Sequence, residues 1–483
     1  MLNSLFAISL VVSGVLSPKS DPAVVDDPSC RLTVAKGMAL DLVGTRTTPE
    51  QARDPSTAIA EIDARQSLLL LPGGRFVLRT STMYPGEIEF RFRSVGEPTR
   101  ENTIDELGWR DGDTLLADDA ASSAKDYADL QMLVPGALVC EGAGRRRAGV
   151  GGVSVAHDVA NRPVTLREDS AGRIIAASVG ADTYNYSGWR VEDDIATPTQ
   201  IQRTRAGQVI ARWEDVRIRA ARAEDRALLS LPEGYRAPDP SGVLRATALG
   251  KGAYRMDGTQ SGYHTGFVVG TRAIALFDAP IGIEEAKAVR ALVEKTAPGR
   301  AIAYIVASHV HGDHIAGLAA YPEASILTGR NGGLALHRQF PDMSAARIRE
   351  VRSVTTLDLG DRTIKIFPLD SSHSTTMLVS YDLAARALFQ GDLFYLPDRG
   401  PVPAAFLTGV ELSRLINTEK LEVNSIVGIH GRTGTTVDLT TALAKRSQSS
   451  SDRGGIGNQF SSARPTARRS ANLPSTDMSD GAR

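Results

Sequence analysis

The chain is poor in cysteine, poor in aromatic residues and without an excess of either charge. Its 483 residues include only Cys30 and Cys140, too few for a disulfide framework or a cysteine-rich zinc site. Aromatic residues make up 5%, which argues against a platform that stacks the bases of single strands. There are 55 Lys and Arg against 56 Asp and Glu, a formal net charge of −1. Modules that bind nucleic acid carry a basic excess, so no nucleic-acid partner is expected. No uninterrupted apolar run approaches the roughly 18 residues of a membrane-spanning helix, and no transmembrane segment is expected. What is present is an ordinary globular composition, 42% hydrophobic, on a length that one core seldom serves. Two folded domains and some unfolded chain are the expectation.

Residues 5–16 are mostly apolar and are followed by Ser17-Pro18-Lys19-Ser20. That length suits the hydrophobic stretch of a secretory signal peptide, although Met1-Leu2-Asn3-Ser4 supplies no basic residue. Residues 1–17 are read as a signal peptide and the protein as periplasmic or secreted, the competing reading being an exposed apolar N-terminus or surface anchor. In an oxidising compartment Cys30 and Cys140 can pair, or remain two separate thiols.

Residues 31–231 have the texture of strands. Ile88, Phe90 and Phe92 alternate with Glu87, Glu89, Arg91 and Arg93, which puts one face inward and one in water. Turn signals at Pro72-Gly73-Gly74, Pro85-Gly86, Ser170-Ala171-Gly172 and Ala206-Gly207 separate further strands, among them residues 173–179 and 208–213. This region predicts a mainly antiparallel β domain with a small helix around residues 121–133. Three prolines and two glycines in residues 232–242 mark the domain boundary. Residues 242–445 then alternate strands with helices: strands near 266–269, 273–277 and 302–307, a helix at 283–296, and later strands at 363–367, 377–381, 387–390 and 425–429. The sum is an α/β domain. Residues 446–483 hold nine serines and six Arg against three Asp, a composition expected to stay disordered.

Chemistry concentrates in Ser308-His309-Val310-His311-Gly312-Asp313-His314, directly after the strand at 302–307. In an extended loop alternate positions project to one side, so His309, His311 and Asp313 can converge while His314 opens the next helix. Three of the chain's eight histidines lie in six residues, forming a mixed nitrogen and oxygen cluster suited to zinc or iron rather than calcium. His373, Asp392 and His430 lie at boundaries of later strands, the last two at C-terminal ends, where α/β sheets gather ligands.

Together these residues resemble the metallo-β-lactamase superfamily. The resemblance covers about residues 242–445 and extends to the stretches Gly262-Tyr263-His264-Thr265-Gly266 and Ala275-Leu276-Phe277-Asp278, which are similar to the family's opening hairpin. It implies an αββα sandwich with a dinuclear metal centre at its rim. By the resemblance His309, His311 and His373 hold a first divalent metal, Asp313, His314 and His430 a second, and Asp392 bridges them. The metals would be zinc, with iron or manganese as alternatives. An aspartate at 392 resembles the glyoxalase II-like hydrolases more than the true β-lactamases. The segments Ser374-Thr375-Thr376-Met377 and Ala316-Gly317 depart from the family's glycine-containing pattern.

The implied activity is hydrolysis of a small ester, thioester, lactone or phosphoester by a metal-activated hydroxide, with Asp313 accepting the proton and Asp392 setting the metal spacing. All seven ligands follow the boundary, so residues 242–445 are expected to hold the site unaided. Three other readings compete. A single iron on His309, His373 and Asp392 resembles persulfide dioxygenases, and a β-lactamase is another. The third is an apolar-ligand carrier, because the β region faintly resembles periplasmic lipoprotein-carrier half-barrels. His264 is a candidate for supporting the site from behind its ligands, and Arg432 and Tyr395 for touching substrate. His157, His337, Trp109, Trp189 and Trp213 read as structural.

Overall fold

The computed structural model describes residues 37–48, 51–55, 61–108, 114–140, 147–148, 152–158, 160–192, 195–237, 242–280 and 282–455. The apolar run at 5–16, Cys30, Trp109 and the chain beyond residue 455 lie outside them.

The first domain is a thirteen-stranded antiparallel sheet whose strands run spatially from the sixth back to the first, then from the thirteenth back to the seventh. Strand Met38–Thr47 pairs with Glu61–Leu71 on one side and with Gln208–Ala220 on the other, joining the two meanders at their long central strands. Alternation along these strands turns Met38, Leu40, Leu42, Ala64, Leu68 and Trp213 to one face. Helices Ala120–Gln131 and Pro135–Cys140 and the turn between them cover that face with Tyr127, Met132, Leu133 and Leu138. Asp119 caps the first helix by accepting from the Ser122 N–H at 2.8 Å, satisfying one of its free donors. The buried phenols have partners: Tyr127 donates to the Leu71 carbonyl at 3.0 Å and Tyr186 to that of Met132 at 2.7 Å. The sheet's apolar face is thus filled by the chain's own helices.

The last strand of this sheet ends at Ala220 and the next begins at Arg245. Between them lie a 3-10 turn, Glu224–Leu229, and a bridge from Arg236 to Thr114. The second domain then stacks a seven-stranded sheet on a five-stranded one. Between the sheets pack Val268, Ala275, Phe277, Leu327, Ile366 and Phe389, with the rings of Phe277 and Phe389 stacked at 4.0 Å. Helix Ile283–Thr296 covers the outer face of the first sheet with Ala286, Val289 and Val293, the residues whose spacing predicts it. Leu407–Thr418 and the last helix cover the outer face of the second through Leu412, Ile416, Leu439 and Ala442. This is an αββα sandwich.

Two expectations need correction. The last helix, Thr436–Gly455, takes in the first ten residues of the stretch that composition assigns to a disordered tail. Lys445 donates to the Val402 carbonyl at 2.5 Å and Arg446 to that of Ala405 at 3.2 Å. The second concerns the apolar face of strand Ile88–Glu97. It does not join its own domain's core: Ile88 is buried against Tyr395 and Phe406 of the second domain, and Phe90 meets Tyr395 edge-on at 6.1 Å. No described helix is long and apolar enough to cross a membrane.

Candidate metal centre

Strand Ile302–Val306 delivers the chain to the sandwich rim. Residues 307–311 form a loop that bends at Ser308 and is extended again at His311, and the single helical turn Gly312–Ile315 carries Asp313 and His314. His373 sits in the connection between strands Thr363–Leu369 and Met377–Asp382. Asp392 and His430 follow the C-terminal ends of Ala387–Phe389 and Ser425–Val427. Gly391 has a specific reason: a Cβ there would collide with the Ser308 hydroxyl and stand 3.0 Å from His309 Nδ1.

All seven residues singled out by sequence converge. His309 Nε2 lies 3.0 Å from His311 Nδ1 and 3.2 Å from His373 Nε2. Two nitrogens about 2.0–2.1 Å from one tetrahedral zinc would stand about 3.3 Å apart. Asp392 divides its carboxylate: Oδ2 is 3.3 Å from His373 Nε2 and 4.0 Å from His309 Nε2, whereas Oδ1 is 3.1 Å from His314 Nε2 and 3.4 Å from His430 Nε2. Asp313 joins His314 and His430 in a further convergent group. His314 Nε2 and Asp392 Oδ1 are both buried without a hydrogen-bond partner among the described residues, despite their proximity. Buried polar atoms are seldom left so. Nitrogen and oxygen donors aimed at common points, two of them unsatisfied, fit the binding of a metal ion.

The tautomers follow from the atoms behind the rings. Asp278 is buried and adopts a left-handed backbone conformation, φ 63°. Its Oδ1 accepts from the Ser308 N–H at 2.6 Å, and its Oδ2 from the Ser308 hydroxyl at 2.8 Å and from His314 Nδ1–H at 3.2 Å. The Ser308 oxygen in turn lies 3.2 Å from His309 Nδ1 and accepts from it. In the neutral form of either ring these bonds place the proton on Nδ1 and leave Nε2 as the donor atom facing the centre. His430 is held by ring contacts, edge-on to Tyr263 at 4.6 Å and stacked on Tyr395 at 5.1 Å.

Electrostatics agree with a cation site. Burial, then the neighbouring His314 and His311, pushes the pKa of His309 well below the usual range, and burial with His373 takes His311 down to about 3. Burial also disfavours a charged His314, but Asp392, Asp313 and the bond to Asp278 outweigh it and hold that ring well above its ordinary value. For Asp392 burial opposes ionisation and is overcome by His314 and His430, leaving the carboxyl well below the usual range. A field that favours a proton between two carboxylates favours a divalent ion there too.

Asp313 is the most open of the seven, its side chain 24% exposed. It accepts from the Tyr263 hydroxyl and from Gln51 Nε2, each at 3.3 Å. Gln51 comes from the first domain, as do two carbonyls behind the histidines: Ala52 O is 3.1 Å from His311 Nε2 and Pro85 O is 2.9 Å from His373 Nδ1. A cleft of about 420 Å³ beside these contacts is lined by Asp54, Arg330, Arg352, Asp370 and Thr375.

Residues 258–437 match the family model described as the Metallo-beta-lactamase superfamily. The match falls wholly within the second domain. Solved structures similar to the chain include a metallo-beta-lactamase from Pontibacter korlensis, 17% identical, covering 42% of this chain and 99% of its own, with a TM-score of 0.34. A flavodiiron protein from Giardia intestinalis is 17% identical over 43% of this chain and 59% of its own, TM-score 0.35. The Flv1 flavodiiron core from Synechocystis sp. PCC6803 is 16% identical over 42% and 61%, TM-score 0.35. No curated protein matches the chain.

Among the secondary candidates, His264 places its ring between Asp257 and Asp398. Its N–H donates to the Ile429 carbonyl at 2.8 Å, and its Nδ1 lies 3.1 Å from the Met256 carbonyl. Tyr395 is buried and serves His430 by stacking, while Arg432 lies 3.8 Å from Asp438. His157 and His337 are exposed, Trp213 is buried, and Trp189 is partly buried beneath the Arg173 guanidinium. Sequence reasoning missed Ser308 and Asp278 as supports, although both stand inside the motifs that carry the resemblance. It also missed Gln51, Ala52 and Pro85.

Proposed function

We propose that the second domain is a hydrolase of a small ester, thioester, lactone or phosphoester that works with two divalent ions, zinc by the donor set. His309, His311 and His373 would hold one ion, Asp313, His314 and His430 the other, and Asp392 both. The observation that carries this reading is the division of the Asp392 carboxylate between two histidine groups, with Oδ1 and His314 Nε2 buried and unsatisfied. Ions held there would bring a water to hydroxide near neutral pH and polarise the substrate oxygen.

The chain's own part is positional and protic. Asp392 sets the separation of the two groups. Asp313, held below the ordinary carboxylate range by His314 and His430 against the effect of burial, is ionised and able to take the proton of the attacking water. Its partial exposure makes its side of the site the approach for substrate.

Elemental analysis of protein expressed with ample zinc should find close to two transition-metal ions per chain. Reporters for thioester, lactone, phosphodiester and β-lactam cleavage should identify a hydrolysed class. Asp392→Ala should then lose at least a hundredfold in kcat with an unchanged circular dichroism spectrum. A metal content of zero, or a variant as active as the parent, would defeat the reading; one iron per chain would favour the persulfide dioxygenase-like alternative.

A further inference from the structure

We propose that the first domain completes the metal centre. The carbonyls of Pro85 and Ala52 fix His373 and His311 in the tautomers that leave Nε2 and Nδ1, respectively, free to bind, and Gln51 holds Asp313. The inference rests on the metal reading above, but its geometry is separate. A carbonyl oxygen only accepts hydrogen bonds, so the ring nitrogen facing it must carry the proton. Pro85 O at 2.9 Å therefore places the proton of His373 on Nδ1, and Ala52 O at 3.1 Å places that of His311 on Nε2. The opposite nitrogens, His373 Nε2 and His311 Nδ1, are the two that converge with His309 Nε2. Of the three histidines in this group, only His309 has its supporting acceptor, Ser308, within its own domain.

The elements bearing these carbonyls are built for close approach. Strands Arg75–Tyr84 and Ile88–Glu97 pair up to Tyr84 and Ile88, leaving Pro85, Gly86 and Glu87 as the hairpin tip. Gly86 has φ 89°, and a Cβ on it would stand 2.7 Å from Thr408 Cγ2 and 3.2 Å from His373 Cβ. Only glycine lets the tip reach the histidine. Glu87 is clamped by Arg446 of the last helix at 2.7 Å. The other segment is anchored by Arg53, which donates to the Ser371 carbonyl at 2.9 Å and to Asp370 at 2.6 Å, while the Thr375 N–H donates to the Arg53 carbonyl at 2.9 Å. Both anchors flank His373 in sequence. Acceptors behind metal-binding histidines typically contribute 10–100-fold in affinity.

The test uses the full-length chain with zinc competed against a chromophoric chelator, and long-range nitrogen NMR of labelled histidines. Gly86→Val displaces the hairpin tip. Gly207→Val is the control, a glycine at φ 82° with nothing near its would-be Cβ. The parent should show His373 protonated at Nδ1 and His311 at Nε2 with and without zinc. Gly86→Val should bind one of its two zinc ions 10–100-fold more weakly and lose the single His373 tautomer, while the control keeps the parental affinities. Parental affinity and tautomers in Gly86→Val, or a parent protonated on the opposite nitrogens, would overturn the proposal. If Gly86→Val does not fold, Arg53→Ala decides: a several-fold weaker site and a mixed His311 tautomer support the proposal, and no change refutes it. A parent that binds no zinc yet shows both tautomers would instead fault the metal reading.

Discussion

At the scale of single residues, the donors were legible and their supports were not. Imidazoles are rare in this chain and their spacing around residue 309 is chemically dense, so position alone marks them. Asp278 is one of 56 acidic residues; its three hydrogen bonds to Ser308 and His314 exist only once two strands lie side by side. Pro85 and Ala52 act through backbone carbonyls, which every residue has, so sequence holds no signal for them. Asp278 yields a direct prediction. Asp278→Ala leaves the buried Ser308 N–H unsatisfied, at a cost of about 1–3 kcal/mol, and removes the acceptor that orients His314. Zinc at the group containing His314 should weaken by about 10–100-fold. Asp278→Asn keeps one oxygen and tolerates the left-handed conformation, but its amide opposes His314 Nδ1–H. Chelator competition should place Asn between parent and Ala; an Ala variant with parental affinity would show that the bond is not needed.

Among the elements, periodicity performed well where an apolar stripe faces a core. Helix Ile283–Thr296 has the bounds that its spacing predicts, and the strands leading to His309, Asp392 and His430 lie where their apolar runs place them. It failed at the last helix, because serine-rich composition outweighs a few anchoring contacts when read without a neighbour to anchor to. Lys445 and Arg446, the first and second residues past Ala444, supply those contacts, and Arg446 also reaches the hairpin tip at Glu87. Truncation therefore has a sharp expected border. Ending the chain after residue 455 should leave the melting temperature within about 1 °C of the parent. Ending it after residue 445 removes the Arg446 bonds and half of the helix, and should lower the melting temperature by several degrees, since about 1 kcal/mol is worth roughly 2–4 °C in a domain of this size. Equal melting of the two truncations would show that residues 446–455 add nothing.

For the whole molecule, the alternation of Ile88, Phe90 and Phe92 identified an apolar face correctly but could not tell a domain's core from a domain interface, because burial against a neighbour has the same period as burial within. The interface that results is mixed. Ile88, Tyr395 and Phe406 form its apolar centre, with Tyr84 and Phe90 packed against it. Around it lie the pairs Arg446–Glu87 and Arg53–Asp370, and Arg338 donating to the Pro55 carbonyl. The exposed pairs contribute little each, so the apolar centre should govern whether the domains unfold together. Interfaces between domains of one chain are often loose enough for independent melting, yet here the interface also carries the carbonyls behind His311 and His373. Zinc loading should therefore strengthen it, because a ligand stabilises whatever arrangement binds it best. Calorimetry of the zinc-loaded parent should show one transition. Phe90→Asp sets an unpaired charge against the Tyr395 ring, which desolvation opposes strongly, and should split the trace into two, with the second-domain transition alone responding to added chelator. Two separate transitions in the zinc-loaded parent would mean that the domains are energetically independent and that the contacts at Pro85 and Ala52 do not couple the β domain to the metal centre.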